Sequence, residues 1–208
     1  ENRLLSYEIQ FQTDGCYKLI PHIKDKAGKE DSGVTYSQAS ASNETFYVDD
    51  KAPTIKAIYN DKEIGVKNGH YFKAPRTMTV VITERNFSLE NTSFNVKVDG
   101  KEQVCTYAEL KDITGINAVT VVEDSEADVD SRMHTDDREI KFTLTFGTDE
   151  KGRTEDHDYL ITVSTTDLTG NSAVDVKDEN QLVKTGELFT VDTVAPVMSV
   201  EYYSYNDQ

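Results

Sequence analysis

Val48-Asp49-Asp50-Lys51-Ala52-Pro53 recurs near the other end of the chain as Val191-Asp192-Thr193-Val194-Ala195-Pro196. Each copy follows a Tyr-x7-Asp-x2-Gly pattern, which begins at Tyr17 before the first copy and at Tyr159 before the second. The two tyrosines are 142 residues apart and the two prolines are 143 apart, so one inserted residue separates the copies. Self-similarity at a fixed spacing is the sequence signature of repeat proteins. The sequence therefore predicts a tandem array.

The repeat divides the chain into three parts if a unit runs from one Ala-Pro to the next. Residues 53–196 then form one complete unit. Residues 1–52 are the C-terminal strands of a preceding unit, and residues 197–208 are the first strand of a following unit. We expect a chain of this kind to come from a longer protein with several such units.

The charge of the chain narrows the classes of partner. Its 208 residues carry 38 acidic and 22 basic side chains, which gives a net charge of -16. Such a charge disfavours binding to nucleic acids or to anionic membranes, and the sequence has no apolar run long enough to span a bilayer. The two cysteines, Cys16 and Cys105, lack counterparts in the other copy, so we expect free thiols and no disulfide that defines the repeat.

The pattern of apolar residues indicates strands. Apolar and polar residues alternate with period two in many short segments, which is typical of half-buried β-strands. Asp99-Gly100 lies between two such segments and is a strong signal for a two-residue hairpin. About seven strands fall in the complete unit, without helices to cover a parallel sheet. The prediction is an all-β fold, an immunoglobulin-like antiparallel β-sandwich in tandem repeat. The last predicted strand is Met198–Tyr203.

An insertion at about 107–138 interrupts the alternation. Its first part, Tyr107–Ile113, is compatible with a short helical turn. Its second part, Glu123–Asp130, is an acidic run, which we interpret as a solvated loop, with a metal site as the alternative. The run lacks the Asp-x-Asp-x-Asp-Gly spacing of an EF-hand loop.

Two motifs resemble a known family. Asp167-Leu168-Thr169-Gly170-Asn171 and Phe189-Thr190-Val191-Asp192-Thr193-Val194-Ala195-Pro196 resemble the Asp-x-x-Gly-Asn and Phe-Thr-Val-Asp-x-x-Ala-Pro signature of bacterial immunoglobulin-like (Big) repeats. The segment from Tyr71 to Phe87, with Arg76-Thr77 and Glu84-Arg85-Asn86-Phe87, is similar to such repeats in Gram-positive gut bacteria. The first copy departs from the signature, because Lys29 stands where the second copy has Asn171.

The resemblance implies a location and a set of metal ligands. Big repeats belong to large cell-surface and secreted proteins, and in calcium-stiffened relatives aspartates at the junction between domains bind the ion. By this resemblance, Asp25 and Asp49 would serve a first junction with Asp50 as an extra ligand, and Asp167 and Asp192 would serve a second. The alternative is that Asp25 and Asp167 only bond nearby backbone N–H groups in Asx turns.

These observations together predict a non-catalytic spacer or stalk module of a bacterial adhesin. The Ala-Pro linkers restrict the chain to extended conformations and favour a rod of domains. No metal-hydrolase or nucleophile-elbow motif occurs in the sequence. The expected partners are adjacent repeats and a host or cell-wall glycan or protein ligand. The alternatives are a glycan- or protein-binding module and an accessory domain of a secreted glycoside hydrolase.

Overall fold

A computed structural model of the chain describes residues 6, 8–18, 23–31, 45–60, 70–118, 122–149, 151–175 and 188–203. The regular structure consists of strands and three short 3-10 turns. The strands are β1 (Gly15–Lys18), β2 (Ile23–Lys24), β3 (Glu30–Asp31), β4 (Thr45–Val48), β5 (Thr54–Tyr59), β6 (Tyr71–Phe72), β7 (Arg76–Thr83), β8 (Thr92–Val98), β9 (Lys101–Cys105), β10 (Ile116–Ala118), β11 (Glu123–Asp124), β12 (Glu139–Phe146), β13 (His157–Thr165), β14 (Val174–Asp175) and β15 (Phe189–Val191). The 3-10 turns are Leu89–Asn91, Tyr107–Asp112 and Ser131–Met133.

Two sheets form the body of the protein. One has the strand order β10-β12-β7-β5-β14, with β11 also paired to β12, and the other has the order β6-β15-β13-β8-β9. The pairings are antiparallel, except that β14 runs parallel to β5 and β15 runs parallel to β6. This order places β5, β7 and β12 in one sheet and β8 and β13 in the other, as in immunoglobulin-type sandwiches. The all-β sandwich predicted from the alternation is therefore confirmed.

Alternation along each long strand builds the core between the sheets. In β12, the side chains of Ile140, Phe142, Leu144 and Phe146 are buried, whereas the residues between them are half-buried on the other face. Phe142 also contacts the ring of Tyr107, at a centroid distance of 4.7 Å. The 3-10 turn that carries Tyr107 therefore closes one side of the core, and the first part of the insertion belongs to the sandwich.

The predicted hairpin between β8 and β9 has the backbone that its sequence demands. Asp99 has φ 48° and Gly100 has φ 81°, so both central residues are left-handed, as a type I′ turn requires. The strands on either side pair in register, with Val98 opposite Lys101. Cys105 at the end of β9 is buried and Cys16 is exposed, and both are free thiols as expected.

A buried arginine lies at the end of the sandwich where β7 begins. The Arg76 side chain is fully buried, and its guanidinium carbon lies 3.5 Å from the ring centroid of Tyr59, 4.2 Å from that of Phe72 and 4.7 Å from that of Phe189. Cation–π contacts of this kind are strongest where the cation is desolvated. This arginine therefore joins β5, β6, β7 and β15 at one end of the core.

Tyr159 is a fully buried tyrosine whose hydroxyl joins the two sheets. The hydroxyl donates a hydrogen bond to the Gly115 carbonyl (2.9 Å) and accepts one from the Gly147 N–H (3.1 Å). Gly115 and Gly147 lie next to β10 and β12, in the opposite sheet. The contact corresponds to the hydrogen bond of a tyrosine corner in immunoglobulin-like domains.

Replacing Tyr159 by phenylalanine is expected to lower the free energy of unfolding by about 1–2 kcal/mol, because it removes a buried hydrogen bond and leaves the packing of the ring unchanged. Urea unfolding followed by fluorescence measures this difference. Tyr203→Phe is the matched control, since the Tyr203 hydroxyl bonds only to Glu201 on the surface. An equal loss in both variants would contradict the structural role of the Tyr159 hydroxyl.

One predicted strand has no place in a sheet. Residues Met198–Tyr203 were expected to form a strand, but they pair with no strand among the described residues, and the Met198 and Tyr202 side chains are 86% and 92% exposed. The same alternation buries Ile55 and Ala57 in β5, where β7 lies beside them. Alternation therefore specifies a face, and a strand forms only where a partner strand is present. Within the described residues, no helix has the length and apolar character needed to cross a membrane.

Candidate metal centre at the domain joint

Three carboxylates meet where the linker enters the complete sandwich. Asp49 lies five residues before β5 begins, Glu84 follows the end of β7, and Asp167 follows β13 by two residues. Because Thr54 pairs with Thr83, the start of β5 and the end of β7 lie at the same end of the sandwich. The antiparallel pairing of β13 with β8 brings the end of β13 there as well. The topology thus gathers acidic residues that are far apart in sequence.

The three side chains are close enough to share one ion. One carboxylate oxygen of each of Asp49, Glu84 and Asp167 lies within 4.8 Å of the other two. Glu84 is 5% exposed and Asp167 is 2% exposed, whereas Asp49 is half-buried at the joint. Among the described residues, this is the one cluster of three or more potential ligand groups with such spacing. The linker provides one member and the sandwich provides two.

A tight turn fixes the position of Asp167. Its Oδ1 accepts hydrogen bonds from the backbone N–H groups of Thr169 and Asn171, both at 2.8 Å, and Gly170 completes the turn with φ 97°. Burial raises the pKa of Asp167, but the hydrogen bonds from Asn171 and Thr169 outweigh it and hold the pKa below its ordinary value. Asp167 is therefore both the Asx-turn residue of the alternative interpretation and a buried, ionised carboxylate.

Glu84 has the opposite electrostatic character. Burial raises the pKa of Glu84 to about 7, and the negative charges of Asp49, Asp167 and Asp136 add to the shift. The one hydrogen bond to its carboxylate comes from the Asn86 N–H, at 2.7 Å from Oε1. The second oxygen, Oε2, accepts no hydrogen bond from the described chain. A carboxylate held next to two others, with one oxygen uncommitted, is a strong attractor for a proton or for a cation.

Two asparagine amides surround the carboxylates. The Asn86 Nδ2 donates to Asp49 Oδ2 (2.5 Å), and the Asn171 Nδ2 donates to Asp167 Oδ2 (2.9 Å). The same Asn171 amide donates to the Asp49 carbonyl at 3.1 Å. Asn171 therefore ties the turn after β13 to the linker. Both amides lie where their oxygens could face an ion after a 180° rotation of the side chain.

The other predicted ligands lie elsewhere. Asp25 is exposed, and its Oδ1 accepts from the N–H groups of Ala27 and Lys29, as expected for an Asx turn. Asp50 is exposed and lies beside Asp14, whose hydrogen bond and negative charge raise the pKa of Asp50. Asp192 is exposed as well, and its Oδ1 accepts from the Val194 N–H. None of these three belongs to the cluster.

The grouping differs from the pairing that the resemblance implied, and strand direction explains why. Asp49 was expected with Asp25, and Asp167 with Asp192, so that a turn and a linker of the same copy would meet. Instead, the chain enters the sandwich at the end where Asp167 lies and leaves it at the other end, where Asp192 follows β15. Asp49, which precedes β5, therefore meets the turn that follows β13 of the same sandwich.

Glu84 is the member of the cluster that was not among the candidate ligands. It was present in the motif Glu84-Arg85-Asn86-Phe87, which follows a predicted strand. The structural reason for its place in the cluster is that β7 pairs with β5, so a carboxylate directly after β7 faces the segment that enters β5. The motif supplies both Glu84 and the Asn86 amide.

A cleft lies at the opposite end of the sandwich. It has a volume of about 240 Å³ and an apolar floor that includes Val96 and Val98. His157 lies on its rim, with Nδ1 2.6 Å from Asp99 Oδ2. The glycan-binding alternative would be favoured by exposed tyrosines on the 107–138 insertion. Its tyrosine, Tyr107, is buried in the core.

No family model matches this chain, and no curated protein is significantly similar to it. The resemblance to Big repeats therefore rests on the motifs of the chain itself.

Proposed function

We propose that this chain is a non-catalytic, immunoglobulin-like spacer module of a bacterial cell-surface adhesin, in which calcium stiffens the joints between successive units. The observation that carries the proposal is the meeting of Asp49, from the linker, with Glu84 and Asp167, from the sandwich. An ion held by all three would fix the linker to the end of the sandwich. The partners on either side are adjacent repeats of the same extracellular protein.

The donor set fits calcium. Ca²⁺ takes six to eight oxygen ligands at about 2.3–2.6 Å, so oxygens on opposite sides of the ion are about 5 Å apart. One oxygen of each of the three carboxylates lies within 4.8 Å of the other two, which agrees with this distance. The carboxylates offer up to six oxygens, and the amides of Asn86 and Asn171 offer two more. The flexible coordination that this mixture provides suits calcium better than magnesium, which demands a strict octahedron.

Corresponding contacts at the repeat positions support an array. The Asp25 and Asp167 turns make the same two backbone hydrogen bonds, and each is followed by a glycine with positive φ, Gly28 and Gly170. Asp49 and Asp192 each accept from the N–H two residues later, at 3.1 Å. In an array, Asp192 would face the turn of a following unit, as Asp49 faces that of Asp167.

Linker stiffness supports the same proposal independently of the metal. Pro53 is buried at the end of the sandwich, one residue before β5 begins. Proline fixes its own φ and restricts the residue before it to extended conformations. Aligning the units therefore costs the linker little backbone conformational entropy, which favours a rigid rod over units joined by flexible linkers.

Calorimetric titration of calcium into chelator-treated protein tests the proposal. We expect binding to one site at the joint, and at a calcium concentration about one hundred times Kd the free energy of unfolding should rise by about 2.7 kcal/mol. For a chain of this size, that corresponds to a rise in Tm of about 5–10 °C. Asp49→Asn and Asp167→Asn should each abolish the heat and the rise in Tm, because each removes a charged ligand.

Asp192→Asn is the matched control, since it makes the same change in the second linker, away from the cluster. It should bind calcium as the unaltered protein does. Loss of binding in Asp192→Asn together with retention in Asp49→Asn would place the ion at the other end. Absence of any calcium response in the unaltered protein would leave a spacer stiffened by proline alone.

A further inference from the structure

The second part of the insertion is a folded segment. We call residues 123–138 the acidic segment. Arg138 bridges its two ends, because its Nε and NH2 donate to the two carboxylate oxygens of Asp124, at 3.1 and 2.6 Å. The Glu126 carboxylate accepts from the Thr135 N–H at 2.8 Å, and β11 pairs with β12. Most of the acidic run is exposed to solvent, as the interpretation of a solvated loop predicts, but Asp124 and Glu126 are held by hydrogen bonds within the segment.

One carboxylate of the acidic segment reaches the linker. Asp136 Oδ2 forms an ion pair with Lys51 Nζ, and Asp136 Oδ1 lies 2.5 Å from Arg85 NH2. Lys51 Nζ also lies 3.3 Å from Asp14 Oδ2, in the loop before β1. The Arg138 Nη1 donates to the Arg85 carbonyl at 3.1 Å and so fixes the position of the Arg85 backbone. Lys51 thus bridges the first unit and the acidic segment of the second.

The second linker provides an internal comparison. Asp156, 142 residues after Asp14, accepts from the Thr193 N–H at 2.9 Å, just as Asp14 accepts from the Asp50 N–H at 3.1 Å. The backbones of the two linkers therefore make the same contact. Their side chains differ, because Val194 stands at the position that corresponds to Lys51. The ammonium that binds Asp136 belongs to the first linker only.

We propose that the acidic segment is a docking surface for a basic linker, and that Asp136 and Arg85 select a preceding unit whose linker carries a lysine directly before its Ala-Pro. This inference rests on the proposed spacer function, because it concerns how one unit is set against the next. The carboxylate of Asp136 accepts the linker cation on one oxygen and is oriented by Arg85 on the other. A linker with valine at that position would leave Asp136 Oδ2 without the lysine ammonium, and the carboxylate would keep only its ion pair with Arg85 among the described residues.

The strength of this contact should depend on salt. Lys51 and Asp136 are half-exposed, with side-chain exposures of 57% and 42%, whereas Asp14 and Arg85 are largely covered, at 16% and 20%. Exposed ion pairs are weak and are screened by salt, and a network with covered members is screened less. We therefore expect the acidic segment to set the angle of the joint at low ionic strength and to release the linker at high ionic strength.

Pulsed EPR distances across the joint test the proposal. One spin label is attached to the natural, exposed Cys16 and the other to an added cysteine at Lys111→Cys, in a background with Cys105→Ala. At about 0.02 M salt with chelator present, Lys51→Val and Asp136→Asn should each raise the population of detached conformers roughly two- to fivefold, the range expected for losing a partly exposed ion-pair network. Lys51→Arg should retain the distance of the docked conformer. At about 1 M salt, all the variants should have the same distribution of distances between the two labels.

Glu139→Gln is the control, because it removes the same charge from the exposed Lys141–Glu139 pair on β12, which does not touch the linker. The proposal is overturned if Lys51→Val and Asp136→Asn keep the distance distribution of the unaltered protein, or if Glu139→Gln broadens it equally. Because chelator is present throughout, this result is independent of calcium binding. Failure of the calcium titration with a docked joint here would reject the ion and keep the docking surface.

Discussion

Replacing Glu84 by glutamine is expected to make the protein more stable in chelator at alkaline pH and less stable than the unaltered protein in calcium. The reversal follows from the raised pKa of Glu84, about 7 against an ordinary value of 4.5. The folded protein binds this proton more tightly than the unfolded chain does. Stability from this group is therefore fully present below about pH 4.5 and declines as the pH rises towards 7.

The size of the effect follows from the shift. Each pKa unit corresponds to 1.36 kcal/mol, so ionised Glu84 costs the folded protein about 3 kcal/mol once the pH is above 7. Glutamine keeps an oxygen to accept the Asn86 N–H and carries no charge, so Glu84→Gln should be more stable than the unaltered protein by up to that amount at pH 8. Urea unfolding across the pH range in chelator measures the difference.

Calcium should make the unaltered protein more stable than Glu84→Gln. An ion at the cluster offsets the repulsion among Asp49, Glu84 and Asp167, and it displaces the proton from Glu84. At a calcium concentration about one thousand times Kd, the unaltered protein gains about 4.1 kcal/mol, which exceeds the cost of about 3 kcal/mol of ionised Glu84. Glu84→Gln lacks the third carboxylate and gains much less. Glu123→Gln, an exposed change in the acidic segment, is the control and should follow the unaltered protein. A Glu84→Gln protein that is less stable in both conditions would show that the buried carboxylate is stabilising in its own right.

Local sequence was sufficient for much of the fold. The all-β sandwich was predicted because alternating side chains match the two faces of a sheet, and the Asp99-Gly100 turn was predicted because its backbone excludes most other residues. Residues Met198–Tyr203 carry the same alternation and form no strand. Their partner strand is not among the described residues, and local pattern contains no information about partners.

The candidate site was predicted only in part, for a reason of the same kind. Asp49 and Asp167 were candidate ligands through the resemblance to Big repeats, yet their meeting depends on which end of the sandwich each strand reaches. Glu84 needed the additional knowledge that β5 and β7 are neighbours. The contact between Lys51 and Asp136 spans 85 residues and joins a linker to an insertion. Nothing in the spacing of those two residues indicates that they meet, because the fold of the acidic segment determines it.

A glycine after β12 is a position where a single added methyl group should strongly destabilise the fold. Gly147 has φ 80°, and a Cβ at this position would lie 2.4 Å from Val191 Cγ1. Val191 is fully buried in β15, between β6 and β13, and its branched side chain has little rotamer freedom. Neither residue can move without disturbing the pairing of β15, so the strain of a left-handed alanine and the clash add together.

Gly147→Ala is therefore expected to lower the free energy of unfolding by about 2–5 kcal/mol, from about 1–2 kcal/mol of backbone strain and an overpacking cost of about 1–3 kcal/mol. Gly152→Ala separates the two contributions, because Gly152 has nearly the same φ, 75°, and a Cβ there meets no atom within 4 Å. Gly152→Ala should lower the free energy of unfolding only by the contribution of backbone strain. Urea unfolding of the two variants under the same conditions measures the difference. Equal losses would mean that Val191 and β15 yield to the methyl group. In that case β15 would be packed less tightly than its burial implies. The proposed rod, whose second linker follows β15 at Asp192, would then deform most easily at that strand.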